Sequence, residues 1–437
     1  MRRLGIQLTV GLSAVALLTA ACSGTTSSSS APPTPAGTGG GSASASGSAG
    51  SGATGSAATT GTSGAIVVGG LQDGNFAGMD TGFKARIARI NNQGGIDGRK
   101  IQFVGVLNDG DSLSNDLSNA QTLVLKDHVF AVAPIADEVL NPASVQLFTQ
   151  NTTPYIGWGL SPAWCANNWG FPVAGCESTP TYQSTVAFTQ AAQAIGKPVK
   201  GLKVAVIGTD NSGGKAGTQG IISANKVMGA DVVYGQASVP QNGTTDYTPY
   251  VQAIMAGNPD MVELVVNFES SVGLTVALRQ AGYKGALWNP GAYVPGLLAA
   301  QPQLAQALTG SLVVADFPPS EQGSPAALQM ESDLKAIGAS PTFSLGEAVG
   351  WWSAEEFIQM LQATAAKGPL TQANFEKVIN AGWTIKSMPG GISQVSFPRD
   401  HIKSTGCYGT LVAEGTHYVL KSPFVCNPAD TISVSGG

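Results

Sequence analysis

The chain has 437 residues, of which 43% are hydrophobic and only 11% are charged. Its 22 Lys and Arg against 27 Asp and Glu give a net charge of −5. This weakly acidic balance, with no basic run beyond Arg2 and Arg3, excludes a typical nucleic-acid-binding surface. The length exceeds one ordinary core and predicts two folded units.

The first residues are typical of an export signal. Arg2 and Arg3 precede the apolar run 4–21, which ends in small residues before Cys22. The ending "LTAAC" resembles the lipobox of bacterial lipoproteins, in which the cysteine carries the lipid. We therefore expect a signal peptide over 1–21 and a lipidated Cys22, and the alternative is an uncleaved membrane anchor.

Residues 22–64 form a segment rich in Ser, Gly, Ala and Thr without charge, aromatic rings or large aliphatic side chains. Such a segment buries too little apolar surface to offset its ordering entropy. We expect a disordered tether between membrane and folded chain. A glycosylated stalk is the alternative.

The other four of the five cysteines are Cys165, Cys176, Cys407 and Cys426. Two close pairs in an oxidising compartment favour the disulfides 165–176 and 407–426, although the sequence allows three connectivities. Zinc binding is the rival. The sequence has no CxxC motif and only three histidines as further zinc ligands, so we expect no metal site.

From Ala65 the chain alternates predicted strands and helices. The strand "AIVVGGL" is followed by a helix near 78–91 with apolar residues at helical spacing. Gly94 and Gly95 end this helix, and "IQFVGVL" is the next strand. A helix carrying Leu113 and Leu117 follows, and "VFAVAPI" and "TPYIGWG" are further buried strands.

The same alternation restarts at "LKVAVIGTD" and continues through "ADVVYGQASV", "PDMVELVVN", "GALWNPG" and "GSLVVADF". Helices are predicted near 324–337, 344–366 and 371–381. Strands separated by helices form mainly parallel sheets, so two such series predict two α/β lobes. The segments "SQVSFP", "GCYGTLVAEG" and "THYVLK" favour short strands around a C-terminal hairpin.

The stretch "INNQGGIDGRKIQF", residues 90–103, resembles the first βαβ unit of type I periplasmic binding proteins, in particular the leucine/isoleucine/valine-binding proteins of ABC importers. "NPAS" at 141–144, "TPYIGWGLSP" at 153–162 and "YVQAIMAGNPDMVELVV" at 250–266 follow in the family's order. The resemblance covers about 65–425. The junction at 90–103 is expected to be structural.

The resemblance implies an α/β clamshell whose two lobes, each a mainly parallel sheet flanked by helices, are joined by three crossovers near 182, 313 and 388. Lobe 1 would comprise 65–182 and 313–388, and lobe 2 would comprise 183–312 and 389–437. A small ligand would bind between the lobes, at the carboxyl ends of strands and near helix N-termini, and hinge closure would enclose it.

The resemblance also suggests ligand contacts, with departures from the family pattern. Asp137, Glu138 and Val139 stand where the family offers hydroxyl groups to a carboxylate, so we expect Asp137 or Glu138 to meet a cation or hydroxyls. The alternative is that they cap the next helix or face water. Ser161 matches the position of a ligand-binding hydroxyl and otherwise serves as a local cap.

Aromatic residues follow several strands and are candidates for the walls of the cleft. These are Phe76, Tyr182, Phe268 and Tyr293, each of which could instead pack in the core, as we expect of Trp158. The glycine-rich "GTDNSGGKAG" stands where the family carries an aromatic residue after the strand. It is not a phosphate loop, because Thr209 takes the place of its first glycine and Ala216 follows the lysine.

No nucleophile elbow, HExxH motif or free cysteine points to an enzyme, and we expect no catalytic residue and no cofactor. We expect a monomeric solute-binding lipoprotein on the outer face of the cytoplasmic membrane that delivers a small polar or amino-acid-like metabolite to an ABC permease. The alternative is a ligand sensor on the same fold that signals to a membrane partner.

Overall fold

Alternating apolar strands and helices build two sheets in the computed structural model. The structure describes residues 64–177, 182–386, 388–392, 394–404, 406–426 and 431–433. The expected signal peptide, the lipidated Cys22 and the tether, apart from Gly64, lie outside the described residues. No described helix combines the length and apolar character needed to cross a bilayer.

The first sheet is parallel and has the order β2-β1-β3-β4-β5. Its strands are β1 Ile66–Gln72, β2 Ile101–Asn108, β3 Ala131–Ala136, β4 Tyr155–Gly159 and β5 Gly170–Cys176. The central strands are covered on both faces, which explains why β3 and β4 are continuous buried runs. Strand β5 was not predicted, because a glycine and a proline interrupt its apolar pattern.

The second sheet has seven strands in the order β13-β12-β11-β10-β9-β7-β8. Its strands are β7 Lys203–Thr209, β8 Asp231–Val239, β9 Met261–Val265, β10 Ala286–Asn289, β11 Leu312–Ala315, β12 Cys407–Glu414 and β13 His417–Cys426. All pairs are parallel except those that β12 makes with β11 and β13. A separate antiparallel pair joins β6 Tyr182–Ser184 to β14 Thr431–Ser433.

Helices flank both sheets. They are α1 Met79–Asn92, α2 Leu113–Gln121, α3 Pro142–Gln150, α4 Val186–Ala194, α5 Ser212–Val227, α6 Thr248–Ala256, α7 Phe268–Gln280, α8 Pro295–Ala300, α9 Pro302–Leu308, α10 Pro325–Ala336, α11 Leu345–Ala365 and α12 Gln372–Asn380. The predicted two-lobed α/β architecture is confirmed. Helix α11 carries the fully buried Trp351 and packs with α1 in the largest core cluster.

The junction after α1 is structural, as its sequence indicates. Gly94 and Gly95 have φ angles of 104° and 83°, which only glycine adopts without strain. A side chain on Gly95 would also lie 2.1 Å from the Arg99 carbonyl oxygen. The amide of Ile96 binds that same oxygen at 2.8 Å, so the chain turns tightly from α1 into β2.

The chain passes between the sheets three times, after β5, after β11 and shortly before β12. The third passage comes later than the expected position near 388. His401 still binds the Gly170 carbonyl oxygen through Nδ1, and the Lys403 carbonyl oxygen accepts the Cys176 amide, both on the first sheet. In the predicted strand "SQVSFP", the described residues 394–398 contribute only an isolated bridge between Ser396 and Thr384.

Disulfides join Cys165 to Cys176 and Cys407 to Cys426, the pairing favoured by the sequence. The second bond links directly paired residues of β12 and β13. It therefore fixes the end of the hairpin that completes the second sheet.

Candidate functional site

Two adjoining cavities lie between the lobes and share Gly291 and Leu345. The inner cavity has a volume of about 200 Å³ and the outer cavity about 470 Å³. Both are lined by residues of the two lobes. The outer cavity lies nearer to solvent, since the exposed Asn75 and Asn242 line it, and we call it the vestibule.

The inner cavity is mainly apolar. Phe76 and Trp158 of the first lobe form one wall, with ring centroids 5.7 Å apart at 71°. Phe188 and Trp288 of the second lobe form another wall, with centroids 5.7 Å apart. Val314 of β11 also lines the cavity. Such a surface suits the apolar part of a compact ligand.

One part of the inner cavity is polar and acidic, and it is formed by Glu177, Asp316, Ser404 and Tyr408. Burial raises the pKa of Glu177 to about 7, although the neighbouring Trp158 and Tyr408 side chains partly lower it. Burial and the neighbouring Glu177 hold the pKa of Asp316 well above its usual range.

Several polar atoms of this region have no protein partner among the described residues. Asp316 Oδ2, Ser404 Oγ and the indole Nε1 of Trp288 are all buried without a hydrogen bond. Buried polar groups are normally paired. A carboxyl oxygen, a hydroxyl group and an indole N–H are therefore available to a bound molecule.

The lobes are in direct contact through Glu138 and the N-terminus of α5. The Glu138 carbonyl oxygen accepts the Gly213 amide at 3.0 Å and the Ser212 hydroxyl at 3.1 Å. Asn211 Nδ2 donates to Glu138 Oε2 at 3.1 Å. We call these three bonds the interlobe latch, and they indicate that the structure represents a closed arrangement.

Gly213 explains why α5 starts with a glycine-rich sequence. A Cβ atom here would lie 2.6 Å from the Glu138 carbonyl oxygen and 2.9 Å from that of Leu160, both in the first lobe. Only glycine permits this approach. The first amides of α5 are already bound, since Gly213 donates to Glu138 and Gly214 to Asn211 Oδ1, so they do not form an anion site.

The outer cavity has a more polar lining than the inner one. Gln241 Nε2 donates across the lobes to the Asp111 carbonyl oxygen at 2.6 Å, and Asn267 Nδ2 binds the Gln241 carbonyl oxygen at 3.1 Å. The pKa of Asp73 is raised by its burial and by Glu138. These contacts give the vestibule an acidic, hydrogen-bonded rim.

The electrostatic character of both cavities is acidic. Their carboxyl groups belong to Asp73, Asp111, Glu138, Glu177, Glu269 and Asp316, and no Lys, Arg or His among the described residues lines either cavity. A positive charge or hydrogen-bond donors on a ligand would compensate the negative charge of these carboxyl groups. A ligand carboxylate would meet repulsion instead.

The family model described as "Periplasmic binding protein" matches residues 66–415. The chain belongs to the periplasmic binding protein family. The resemblance to type I periplasmic binding proteins is thus confirmed, and the family implies an extracytoplasmic location. No curated protein matches the chain.

Solved periplasmic binding proteins share this fold at low sequence identity. A fatty acid ABC transporter substrate-binding protein from Thermomonospora curvata has a TM-score of 0.67 at 17% identity, covering 84% of this chain and 93% of that one. A solute-binding protein of an ABC transporter from R. palustris, in complex with 4-hydroxybenzoate, has a TM-score of 0.66 at 19% identity, covering 84% and 98%.

A branched-chain amino acid transporter substrate-binding protein from Streptococcus pneumoniae, in complex with isoleucine, has a TM-score of 0.62 at 16% identity, covering 83% and 100%. These neighbours are binding proteins. At these identities they establish the fold of the present periplasmic binding protein but not its ligand. The cavity lining is the observation that bears on the ligand.

The structure brings three of the suggested ligand residues to the cavities. Phe76 and Glu138 line the inner cavity, and Phe268, the first residue of α7, lines the outer one. Trp158, expected in the core, is both buried and part of the inner cavity wall.

Three other suggested residues lie elsewhere. Asp137 is fully buried among carboxylates beneath the cleft, and the Ser161 hydroxyl accepts the Ala163 amide as a local cap. Tyr293 is buried in the core, where its hydroxyl donates to Glu321 Oε2 at 2.7 Å. None of the three lines either cavity. The side chain of Tyr182 lies outside the described part of the structure.

Sequence reasoning missed Glu177, Asp316, Trp288 and Tyr408. A signal existed for Glu177 and Asp316, because each directly follows a strand whose carboxyl end faces the cleft. Tyr408 lies on an antiparallel strand, for which that rule gives no guidance.

Proposed function

We propose that this periplasmic binding protein captures a compact amphipathic solute in the inner cavity and delivers it to an ABC importer. The supporting observation is that residues of both lobes enclose one small cavity while the interlobe latch holds the lobes together. Closure would bury the solute, and release would require the latch to open.

The proposed ligand has an apolar body and an amine or hydroxyl end. Phe76, Trp158, Phe188 and Trp288 would contact the body, since their rings form the cavity walls. The polar end would bind near Asp316, where an ammonium or hydroxyl group satisfies otherwise unpartnered oxygens. A volume of about 200 Å³ is at the small end for ligand pockets and favours a compact molecule.

Binding of branched-chain amino acids by the family's usual mode is less well supported. Glu138 stands in the loop that would offer hydroxyl groups to a carboxylate, and it already binds Asn211 and Gly213. The cavity supplies no cationic side chain among the described residues. The acidic character therefore favours a cationic or neutral solute.

We further propose that a lipid on Cys22 and the tether 22–64 hold the monomeric protein at the outer face of the cytoplasmic membrane. This placement would keep the folded lobes within reach of the permease. The sequence up to Cys22 supports this proposal.

The proposal is tested with three probes that share one aromatic body, namely 2-phenylethylamine, 2-phenylethanol and 3-phenylpropionate. Thermal unfolding and calorimetry should show binding by the amine or the alcohol, because a bound ligand stabilises by mass action. The carboxylate should bind at least tenfold more weakly than the better of the two. Preferential binding of the carboxylate would contradict the proposed ligand class.

The position of the polar end is tested by Asp316→Asn, which keeps the shape of the side chain but replaces its ionisable carboxyl group by an amide. Amine binding should weaken in this variant. Asp231→Asn, an exposed carboxylate at the start of β8, is the matched control and should bind normally. Equal affinities of the two variants would remove Asp316 from the site.

A further inference from the structure

Three buried aspartates converge beneath the cleft of the first lobe. Asp109 follows β2, Asp116 lies within α2 and Asp137 follows β3. One carboxylate oxygen from each lies within 4.8 Å of the other two. The residues are 1%, 0% and 0% exposed, so solvent does not screen their charges. We call these residues the aspartate cluster.

Each aspartate of the cluster is oriented by protein donors on Oδ1. Asp116 Oδ1 accepts the Asn141 amide at 3.2 Å and the Ser144 hydroxyl. Asp109 Oδ1 accepts the backbone amide of Asp111, and Asp137 Oδ1 accepts that of Val139, each at 2.7 Å. The carboxylates are therefore held in position from outside the cluster.

The second oxygen of each carboxylate has no such partner. Oδ2 of Asp109, of Asp116 and of Asp137 are all buried and have no hydrogen-bond donor from outside the cluster among the described residues. No Lys, Arg or His in the described part of the chain forms an ion pair with any of them. Uncompensated buried charges are strongly unfavourable, so protons or a cation must accompany them.

The geometry points to a calcium ion bound by Asp109, Asp116 and Asp137, a site distinct from the ligand cavity. Ca²⁺ takes oxygen ligands at about 2.3–2.6 Å, so oxygens around one ion lie within roughly 5 Å of each other, as they do here. Mg²⁺ matches less well, because it retains several waters that a buried site does not readily admit. The all-oxygen set also disfavours metals that prefer nitrogen or sulfur.

The ion would join β2, α2 and the loop after β3 at the carboxyl edge of the first sheet. That loop continues directly into Glu138, the first-lobe partner of the interlobe latch. None of the three aspartates lines either cavity. The ion would therefore stabilise the first lobe and position Glu138 without contacting the solute.

The test is thermal unfolding of the full chain after treatment with a chelator, with Ca²⁺ then added alone. At about a hundredfold excess over its Kd, Ca²⁺ should raise the melting temperature by about 3 to 4 °C. Metal analysis after dialysis against Ca²⁺ should find about one ion per chain. Mg²⁺ at equal concentration should produce a smaller shift.

Asp116→Asn keeps an acceptor for Asn141 and Ser144 but weakens cation binding, so it should lose the Ca²⁺ shift. Asp127→Asn is the matched control and should retain the shift. This carboxylate directly follows the helical turn 122–126 that continues α2. Asp137→Asn serves as the second variant if the first does not fold.

The Ca²⁺ titration of the wild-type protein tests the proposal without any variant. Absence of both a shift and bound metal would overturn the proposal and leave a cluster held together by protons. A shift in Asp116→Asn equal to that of the wild type would place the ion elsewhere. An equal response to Mg²⁺ would overturn the assignment of calcium.

Discussion

Replacing Gly213 by alanine should weaken ligand binding by preventing full closure of the lobes. The new methyl group would lie 2.6 Å from the Glu138 carbonyl oxygen and 2.9 Å from that of Leu160. Both obstacles are backbone atoms of the first lobe, which cannot turn aside as a side chain can. The lobes would have to separate by several tenths of an ångström or more.

The magnitude follows from the interlobe latch. Its three hydrogen bonds measure 3.0 to 3.1 Å, and this separation would stretch or break them. A net value of about 1 kcal/mol for each bond gives a loss of about 2 to 3 kcal/mol when two or all three of them break. For a free protein that is mainly open, the Kd of a bound probe should rise roughly 30- to 150-fold.

The assay is calorimetric titration of the tightest-binding phenyl probe, with amide hydrogen exchange of the probe-saturated protein as a second measurement. Exchange at residue 213 should accelerate because its amide loses the Glu138 carbonyl oxygen. Gly296→Ala is the matched control, since its new methyl group meets open space in α8. Unchanged affinity and unchanged exchange in Gly213→Ala would refute the reasoning.

Three further predictions concern charge and covalent bonds. Amine binding should weaken up to tenfold per pH unit below about 7, where Glu177 becomes protonated, and Glu177→Gln should flatten this profile in calorimetry. Burial raises the pKa of Glu263 to about 8, so the wild type loses stability as pH rises from about 4.5 to 8. Glu263→Gln should therefore gain up to about 5 kcal/mol at pH 9 and little at pH 4 in denaturant titrations; equal gains would contradict it. Replacing Cys407 and Cys426 by serine opens a link of sequence separation 19 and should cost about 3 kcal/mol; an unchanged melting temperature would contradict this.

Long periodic segments could be predicted from the sequence because one physical requirement dominates them. Helix α11 was expected over 344–366 and spans Leu345–Ala365, since its apolar residues must face a core. The ending of α1 at Gly94 and Gly95 was predictable for a similar reason, because positive φ angles require glycine.

The direction of loop side chains could not be predicted in this way. Asp137 and Glu138 are neighbours in the sequence, yet Asp137 enters the aspartate cluster and Glu138 lines the cavity and forms the latch. Their separation depends on the torsions of one turn, which tertiary contacts fix. Tyr408 reaches the cavity only because β12 pairs with β11 from far along the chain.

The most direct test of a solute enclosed between the two lobes is a crystal structure of the protein with its tightest-binding phenyl probe. The account predicts a molecule in the inner cavity that contacts Trp158 of the first lobe and Trp288 of the second at once. It also predicts a polar end within hydrogen-bond distance of Asp316. A molecule bound to one lobe alone, or only in the outer cavity, would contradict it.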